Sequence, residues 1–334
     1  MTTGLGITIP LGAPLMEHTT LLPRLAAGGY RHFWSSETAA FDAFTPLAHA
    51  AAVLPDAHLG TAIAGVFTRG PALLAMSAAA LAEAAPGRFS LGVGAASPAI
   101  VARWNGIPYE RPVARVREAV TFLRAALSGE KLPNGFRLER PPTQPPPILI
   151  AALRPAMLRL AGEVGDGAIL NWLSTSDVER VVPLVHGAGP GRATAAQLVE
   201  AAPSQRTIVA RLFVCPTDNP SAVRAAARRL VTGYLTVPGY ADFHRWLGRG
   251  GLLAPMWAAW EAGDRRGAVD AVPERVLDEL FVIGTAEECA AQVHRYVHSG
   301  VDVPVLSFLP LDPGRDEVTD ALAVAAAFTR GSGG

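Results

Sequence analysis

Cysteine is nearly missing from this sequence. Its 334 residues include two, Cys215 and Cys289, far apart in the chain. No CxxC pair occurs, which excludes a disulfide framework and a cysteine-based metal site. An excess of one charge is also missing, because 29 basic residues face 29 acidic ones and the formal net charge is zero. Nothing in that balance attracts nucleic acid or an anionic membrane surface. No stretch reaches the roughly 18 uninterrupted apolar residues of a membrane span. The Ala-rich segment 71–85 carries Ser77 and Glu83 and reads as an amphipathic helix. The opening MTTGLGITIP has no basic region followed by a long apolar run, so it does not read as a signal peptide, and a cytoplasmic protein is expected. There is no GxSxG elbow, Walker loop or zinc-deaminase motif. His294 and His298 stand four apart on an expected helix, but no carboxylate completes an HExxH motif, and no metal is expected.

What is present is apolar surface in short blocks. Half of the residues are hydrophobic, enough for a sizeable core, and the length suits one large barrel or two smaller domains. Apolar runs at 4–10, 30–36, 58–65, 88–94, 148–152, 167–171, 207–214 and 303–309 read as strands. Helical patterns separate them at 16–28, 44–54, 71–84, 113–127, 155–164, 177–185, 221–234 and 285–299. Gly28-Gly29 is a helix stop, and Pro71 and Pro155 open helices at positions where proline is favoured. Residues 130–147 are Pro-rich and irregular, 186–205 read as a surface loop, 237–280 as a mostly helical insertion, and the Gly-Ser-Gly-Gly end as frayed. Continuous Val/Ile/Leu runs mark strands buried on both faces. Eight of them separated by helices predict a single (β/α)8 TIM-barrel domain with insertions, in preference to a doubly wound sheet with a second domain.

In such a barrel the functional groups sit at the C-terminal ends of the strands. At the fourth strand exit, Gly94, Ala95 and Ala96 are small enough to let a flat ligand approach the backbone. The run GVGAAS matches GxGxxG only in part, since Ser97 stands where the last Gly would be, and a tight strand exit explains it as well. At the fifth exit, Ala152, Leu153 and Arg154 precede Pro155. A helix N-terminus beside an Arg suits a phosphate, or else is an ordinary helix start with a solvated Arg. Glu37, at the second exit, is placed to act as an acid or base or to bind a hydroxyl, or else to pair with Arg31, Arg69 or another base at the rim. Trp34, Trp104, Trp172 and Trp246 are candidates for an aromatic pocket, with core packing as the alternative for each.

These segments resemble the luciferase-like monooxygenase superfamily, in particular its actinobacterial branch of deazaflavin-dependent (coenzyme F420) oxidoreductases. The resemblance covers nearly the whole chain. It is carried by YRHFWSSE at 30–37, the run LGTAIAG to GVGAAS at 59–97, AALRPAMLRLAGEVGDGAILNWL at 151–173, VPGYADFHRWLGRG at 237–250 and ELFVIGTAEECAAQVHRYVHSGV at 279–301. It implies a bacterial-luciferase-like barrel with a cofactor at its mouth, and a non-prolyl cis peptide at Ala62–Ile63 against which the ring rests. It places the phosphate at Leu153 and Arg154 and the ring or its polyol tail at Ala95 to Ser97. Glu37 matches the family's acidic position. Thr38 stands where several relatives have His, and Ser97 where some have Glu, so both acid–base positions differ here. Glu37, Ser97 and Thr38 are the catalytic candidates. Tyr234 and His244 join Trp34, Trp172 and Trp246 as pocket candidates. The resemblance implies coenzyme F420, with FMN and oxygen chemistry as the alternative and a non-catalytic cofactor-binding protein as a third reading. It also implies a small-molecule substrate and a homodimer.

Overall fold

A computed structural model describes residues 4–187, 206–312 and 314–331. The strands are β1 Gly6–Ile9, β2 His32–Ser35, β3 His58–Thr61, β4 Ala64–Gly65, β5 Phe89–Gly94, β6 Ile148–Ala151, β7 Gly167–Asn171, β8 Thr207–Pro216, β9 Phe281–Gly284 and β10 Val303–Phe308. Pairing runs β10-β1-β2-β3-β5-β6-β7-β8, and β8 pairs back to β10, which closes an eight-stranded barrel. Every pairing is parallel. The expected TIM barrel is thus present, with helices between successive strands on its outside. Among the described residues no helix is long and apolar enough to cross a membrane.

The non-prolyl cis peptide that the family resemblance implies at Ala62–Ile63 is present, and the strand expected over 58–65 is divided there into β3 and β4. Two further elements differ from the sequence reading. The run FVIG at 281–284, which fell between the expected insertion and the next helix, forms β9 and pairs with the far end of β8. The helix Glu317–Gly331 was not expected; it packs Val318, Ala321 and Val324 inward. Most of the expected loop 186–205 and the last three residues lie outside the described residues.

Space inside the barrel decides its sequence. Trp34 is fully buried there with Leu149, Ile169, Val209, Val303 and Val305. Its ring lies against Gly60, where a Cβ would stand 2.3 Å from the indole. Beside it the ladder changes register. Gly60 pairs with Ser90 and Ala64 with Val93, so Thr61, Ala62 and Ile63 face Leu91 and Gly92. This is a bulge, one residue longer on one side. Thr61 bridges the gap: its hydroxyl donates to the Gly92 carbonyl at 2.7 Å and accepts from the Gly92 N–H at 2.8 Å. The approach is so close that a Cβ on Gly92 would lie 1.9 Å from the Thr61 carbonyl oxygen.

Between β8 and β9 the chain is helical, at Pro220–Leu235, Pro238–His244, Gly250–Glu261, Arg265–Asp270 and Glu274–Leu280. These helices build a second apolar cluster with Val231, Leu253, Met256 and Trp257, and Trp172 and Phe213 from the barrel belong to it. One buried cation ties the cluster down. Arg249 donates to Asp177 at 2.7 Å, to Glu279 at 2.7 Å and to the Ser174 hydroxyl at 3.2 Å. Ser174 and Asp177 also form the capping box that opens the helix Thr175–His186.

Two glycine substitutions separate space from conformation. Gly92→Ala is expected to cost about 3 kcal/mol or more in unfolding free energy, because backbone must move. Gly233→Ala, in a helix with open space around it, is expected to add about 0.5–1 kcal/mol. Denaturant titration of both variants checks this.

Candidate active site at the barrel mouth

The C-terminal ends of β3, β5 and β6 make an apolar floor. Gly94 keeps it low, since a Cβ there would press on Ala151 Cβ at 3.0 Å and Ile63 Cδ1 at 3.1 Å. Ala62, Ile63, Ala95, Ala96 and Ala151 are all half-buried, and Ala62, Ile63 and Ala151 pack on the interior cluster around Trp34. Ala96 has a left-handed backbone, φ 57°, and its carbonyl accepts from the Tyr109 hydroxyl at 3.3 Å. Such a floor offers a flat, weakly polar face to a planar ring.

Glu37 braces this floor. Its backbone N–H donates to the Ile63 carbonyl at 3.2 Å, and its carboxylate accepts from the Gly65 N–H at 2.9 Å. The same carboxylate pairs with Arg69, which also reaches Asp42 at 3.2 Å. Of the two roles open to Glu37 in the sequence, the structure shows the ion pair: both oxygens are engaged in holding the bulge. The other two catalytic candidates have local partners as well. Ser97 Oγ accepts from the Ile100 N–H at 3.3 Å where the wide helical turn Ala99–Trp104 begins. Thr38 is exposed at the rim, and its hydroxyl accepts from the Ala40 N–H at 3.2 Å.

Pro155 opens the helix Pro155–Val164 as expected, with Ala152 buried and Leu153 half-buried just before it. Arg154 is exposed and paired with Asp242 from the insertion at 2.9 Å. A surface pair of this kind is worth about 0–1 kcal/mol and exchanges readily for another anion.

The pocket candidates divide. Trp172 and Tyr234 are together, their rings 4.6 Å apart, with Trp172 also stacked on Phe213 at 4.0 Å. Trp34 lies lower, sealed inside the barrel, and lines no opening. Trp246 packs on Phe243 and under Arg180, away from the floor. His244 is fully buried, and burial, with Arg249 nearby, lowers its pKa to about 3. It stays neutral and is no proton donor at physiological pH. His294 and His298 do not converge on a metal: His298 Nδ1 is bonded to the His294 carbonyl, and no cluster of metal-ligating side chains occurs among the described residues.

The sequence profile of the luciferase-like monooxygenase family matches residues 2–303. The chain belongs to that family. This luciferase-like protein is 23% identical to a protein of Mycobacterium tuberculosis named as a coenzyme F420-dependent oxidoreductase, over 95% of this chain and 99% of the relative. Its fold is similar to the coenzyme F420-dependent tetrahydromethanopterin reductase of Methanopyrus kandleri, with TM-score 0.76, 19% identity and 99% of each chain covered. It is also similar to a coenzyme F420-dependent secondary alcohol dehydrogenase, with TM-score 0.74, 18% identity and 98% of each chain covered. Monooxygenases of the same fold superpose at 0.64 to 0.66.

The sequence places Asn171 and Arg211 at or near strand exits but gives them no role, so the polar side of the luciferase-like mouth went unrecognised. Arg211 and Phe213 follow Val209 at intervals of two on β8, so all three face the interior. Arg211 donates to Ser307 Oγ at 2.9 Å, and Asn171 Nδ2 donates to the Tyr240 oxygen at 3.2 Å. The strand alternation around Val209 was the available signal for Arg211. Nothing in the sequence brings Tyr240, from the insertion, to Asn171.

Two buried histidines tie stability to pH. His58 is hydrogen-bonded to Ser90 at 2.8 Å, and burial, with His32 nearby, lowers its pKa to about 3. His58 and His244 therefore remain neutral when folded but take up protons when unfolded below about pH 6.5. Stability is full above that pH and falls as the pH drops toward 3, by about 1.4 kcal/mol per pH unit for each histidine. Urea unfolding between pH 7 and 5 is expected to show this slope, and His244→Asn to reduce it by one proton's worth. An unchanged slope in the variant excludes His244 as a source.

Proposed function

We propose that this chain is a coenzyme F420-dependent oxidoreductase that exchanges hydride between the deazaflavin and a small organic substrate. The observation that carries this reading is the floor at Ile63, Gly94 and Ala151, flanked by Ala62, Ala95 and Ala96, which fits one face of a tricyclic ring. The names of the relatives favour the deazaflavin over other planar cofactors. The deazaflavin, when bound, supplies hydride-transfer chemistry. The chain's own part is to hold and orient. Glu37 and Arg69 keep the floor in place, and the N-terminus of the helix Pro155–Val164 with Arg154 receives the phosphate once Asp242 is displaced. Tyr240 holds a proton on the opposite side of the mouth, since burial pushes its pKa to about 12.

A second reading, an FMN-dependent monooxygenase, is favoured by the monooxygenases among the structural neighbours, one of them in complex with FMN. Titration of the purified protein with coenzyme F420 and with FMN, followed by absorbance and ring fluorescence, separates the two. The expected result is tighter binding of coenzyme F420 by about tenfold or more, with turnover that needs no oxygen. Preference for FMN moves the reading to oxygen chemistry. Tight coenzyme F420 binding with no turnover of any alcohol, enone or imine leaves a non-catalytic binding protein.

Self-association belongs to the same reading. The helix Pro71–Ala84 leaves Leu73 49% and Met76 48% exposed on its outer face, an apolar surface suited to a second copy. Sedimentation velocity is expected to show a dimer that Leu73→Asp weakens; a wild-type monomer removes this part of the reading.

A further inference from the structure

Among the described residues, Arg211 in the barrel mouth has no carboxylate partner. Arg211 enters the interior above Val209, and its electrostatic partners are Tyr234 and Tyr240 rather than a carboxylate. Nη2 donates to Ser307 Oγ, the guanidinium lies 4.9 Å from the Phe213 ring centre, and Nε is shielded from water without a partner. A guanidinium stays charged under these conditions. Arg211 is half-buried, and a charge partly withdrawn from water beside apolar rings favours an anion joining it.

The neighbouring groups describe that anion. Asn171 is the register partner of Arg211 on β7. Its Nδ2 donates to Tyr240, while its Oδ1 is buried with no partner among the described residues. Tyr240 uses its oxygen as acceptor in this bond, so its O–H remains to donate. The mouth thus offers two donors, Arg211 Nε–H and Tyr240 O–H, and one acceptor, Asn171 Oδ1. Tyr234 and Phe213, with rings 6.1 Å apart, supply apolar surface beside them.

We propose that Arg211, Tyr240 and Asn171 form the binding site for the carboxylate of an organic-acid substrate whose apolar body lies against Tyr234 and Phe213. That this ligand is a substrate rests on the oxidoreductase reading above; the site itself does not. Arg211 and Tyr240 donate to the carboxylate oxygens, and Asn171 Oδ1 accepts from a hydroxyl or N–H on the neighbouring carbon. A cofactor phosphate offers the same oxyanion chemistry, so the test separates the two sources.

The full-length protein, free of cofactor, is titrated by calorimetry with benzoate and with the neutral isostere benzamide, and separately with coenzyme F420. Benzoate is expected to bind, with benzamide weaker by about tenfold or more. Arg211→Gln and Tyr240→Phe are each expected to weaken benzoate by about tenfold, to leave coenzyme F420 affinity unchanged and to keep the wild-type circular dichroism. Arg211→Lys is expected to recover part of the loss. Tyr240→Phe keeps the ring and so tests the site even where an Arg211 variant fails to fold. Equal affinity for benzoate and benzamide, or no benzoate binding by the wild type, overturns the proposal. So does an Arg211→Gln protein that loses coenzyme F420 but not benzoate, which assigns the cation to the cofactor. Benzoate binding as expected in a protein that does not bind coenzyme F420 supports the anion site and refutes the coenzyme F420 reading alone.

Discussion

The Thr61 hydroxyl, inserted between the N–H and carbonyl of Gly92, is the contact on which the mouth depends. A parallel ladder that gains a residue on one side leaves backbone groups unpaired in a dry interior, where each unmade hydrogen bond is unfavourable by about 1–3 kcal/mol. Thr61 answers both groups of Gly92 with one side chain. The bulge then carries Ala62 and Ile63 away from β3 and returns the chain as β4 beside the end of β5. The floor of the candidate site is the surface this detour creates. Its conditions reach outward: Gly92 has to lack a side chain, and Glu37 and Arg69 have to brace the far side. A tight strand exit and a surface on which a ring rests, set against each other when GVGAAS is read alone, are here one structure.

Much of the barrel was legible because its strands are buried on both faces. Runs such as ILIA at 148–151 and IVARLFVC at 208–215 have no polar alternation to confuse the reading. Prolines at 71 and 155 marked helix starts that the structure places at the same residues. What escaped was short or was set by distant parts of the chain. FVIG at 281–284 is too brief to stand out between two helices, and it is a strand because the end of β8 extends far enough to pair with it. The split of 58–65 is invisible to hydropathy; the family resemblance, not the apolar pattern, marked Ala62–Ile63.

The candidate site was less legible for a related reason. Position at a strand end was inferred well, but not what each side chain meets there. Glu37 is at the mouth and is held by Arg69; Trp34 is on the right strand but one layer too deep, because Gly60 leaves room for its ring below the mouth. The groups that give the mouth its polarity, Arg211, Asn171 and Tyr240, come together from two strands and an insertion. No local pattern links residues so far apart. Among them, an ionisable side chain in an otherwise apolar strand was the one visible sign, and Arg211 within IVARLFVC is such a residue.

The buried tether at Arg249 has a consequence for how this enzyme family diversifies. The insertion forms one wall of the mouth through Tyr240, yet it is fixed to the barrel by a cation whose anionic partners come from both bodies, Asp177 from the barrel and Glu279 from the insertion's own last helix. A segment exchanged between relatives would bring Arg249 and Glu279 with it but would find Asp177 and Ser174 only in a barrel already built to receive it. The wall is therefore best exchanged between barrels that share the capping box at 174–177, since elsewhere Arg249 keeps Glu279 but loses the Asp177 and Ser174 half of its support.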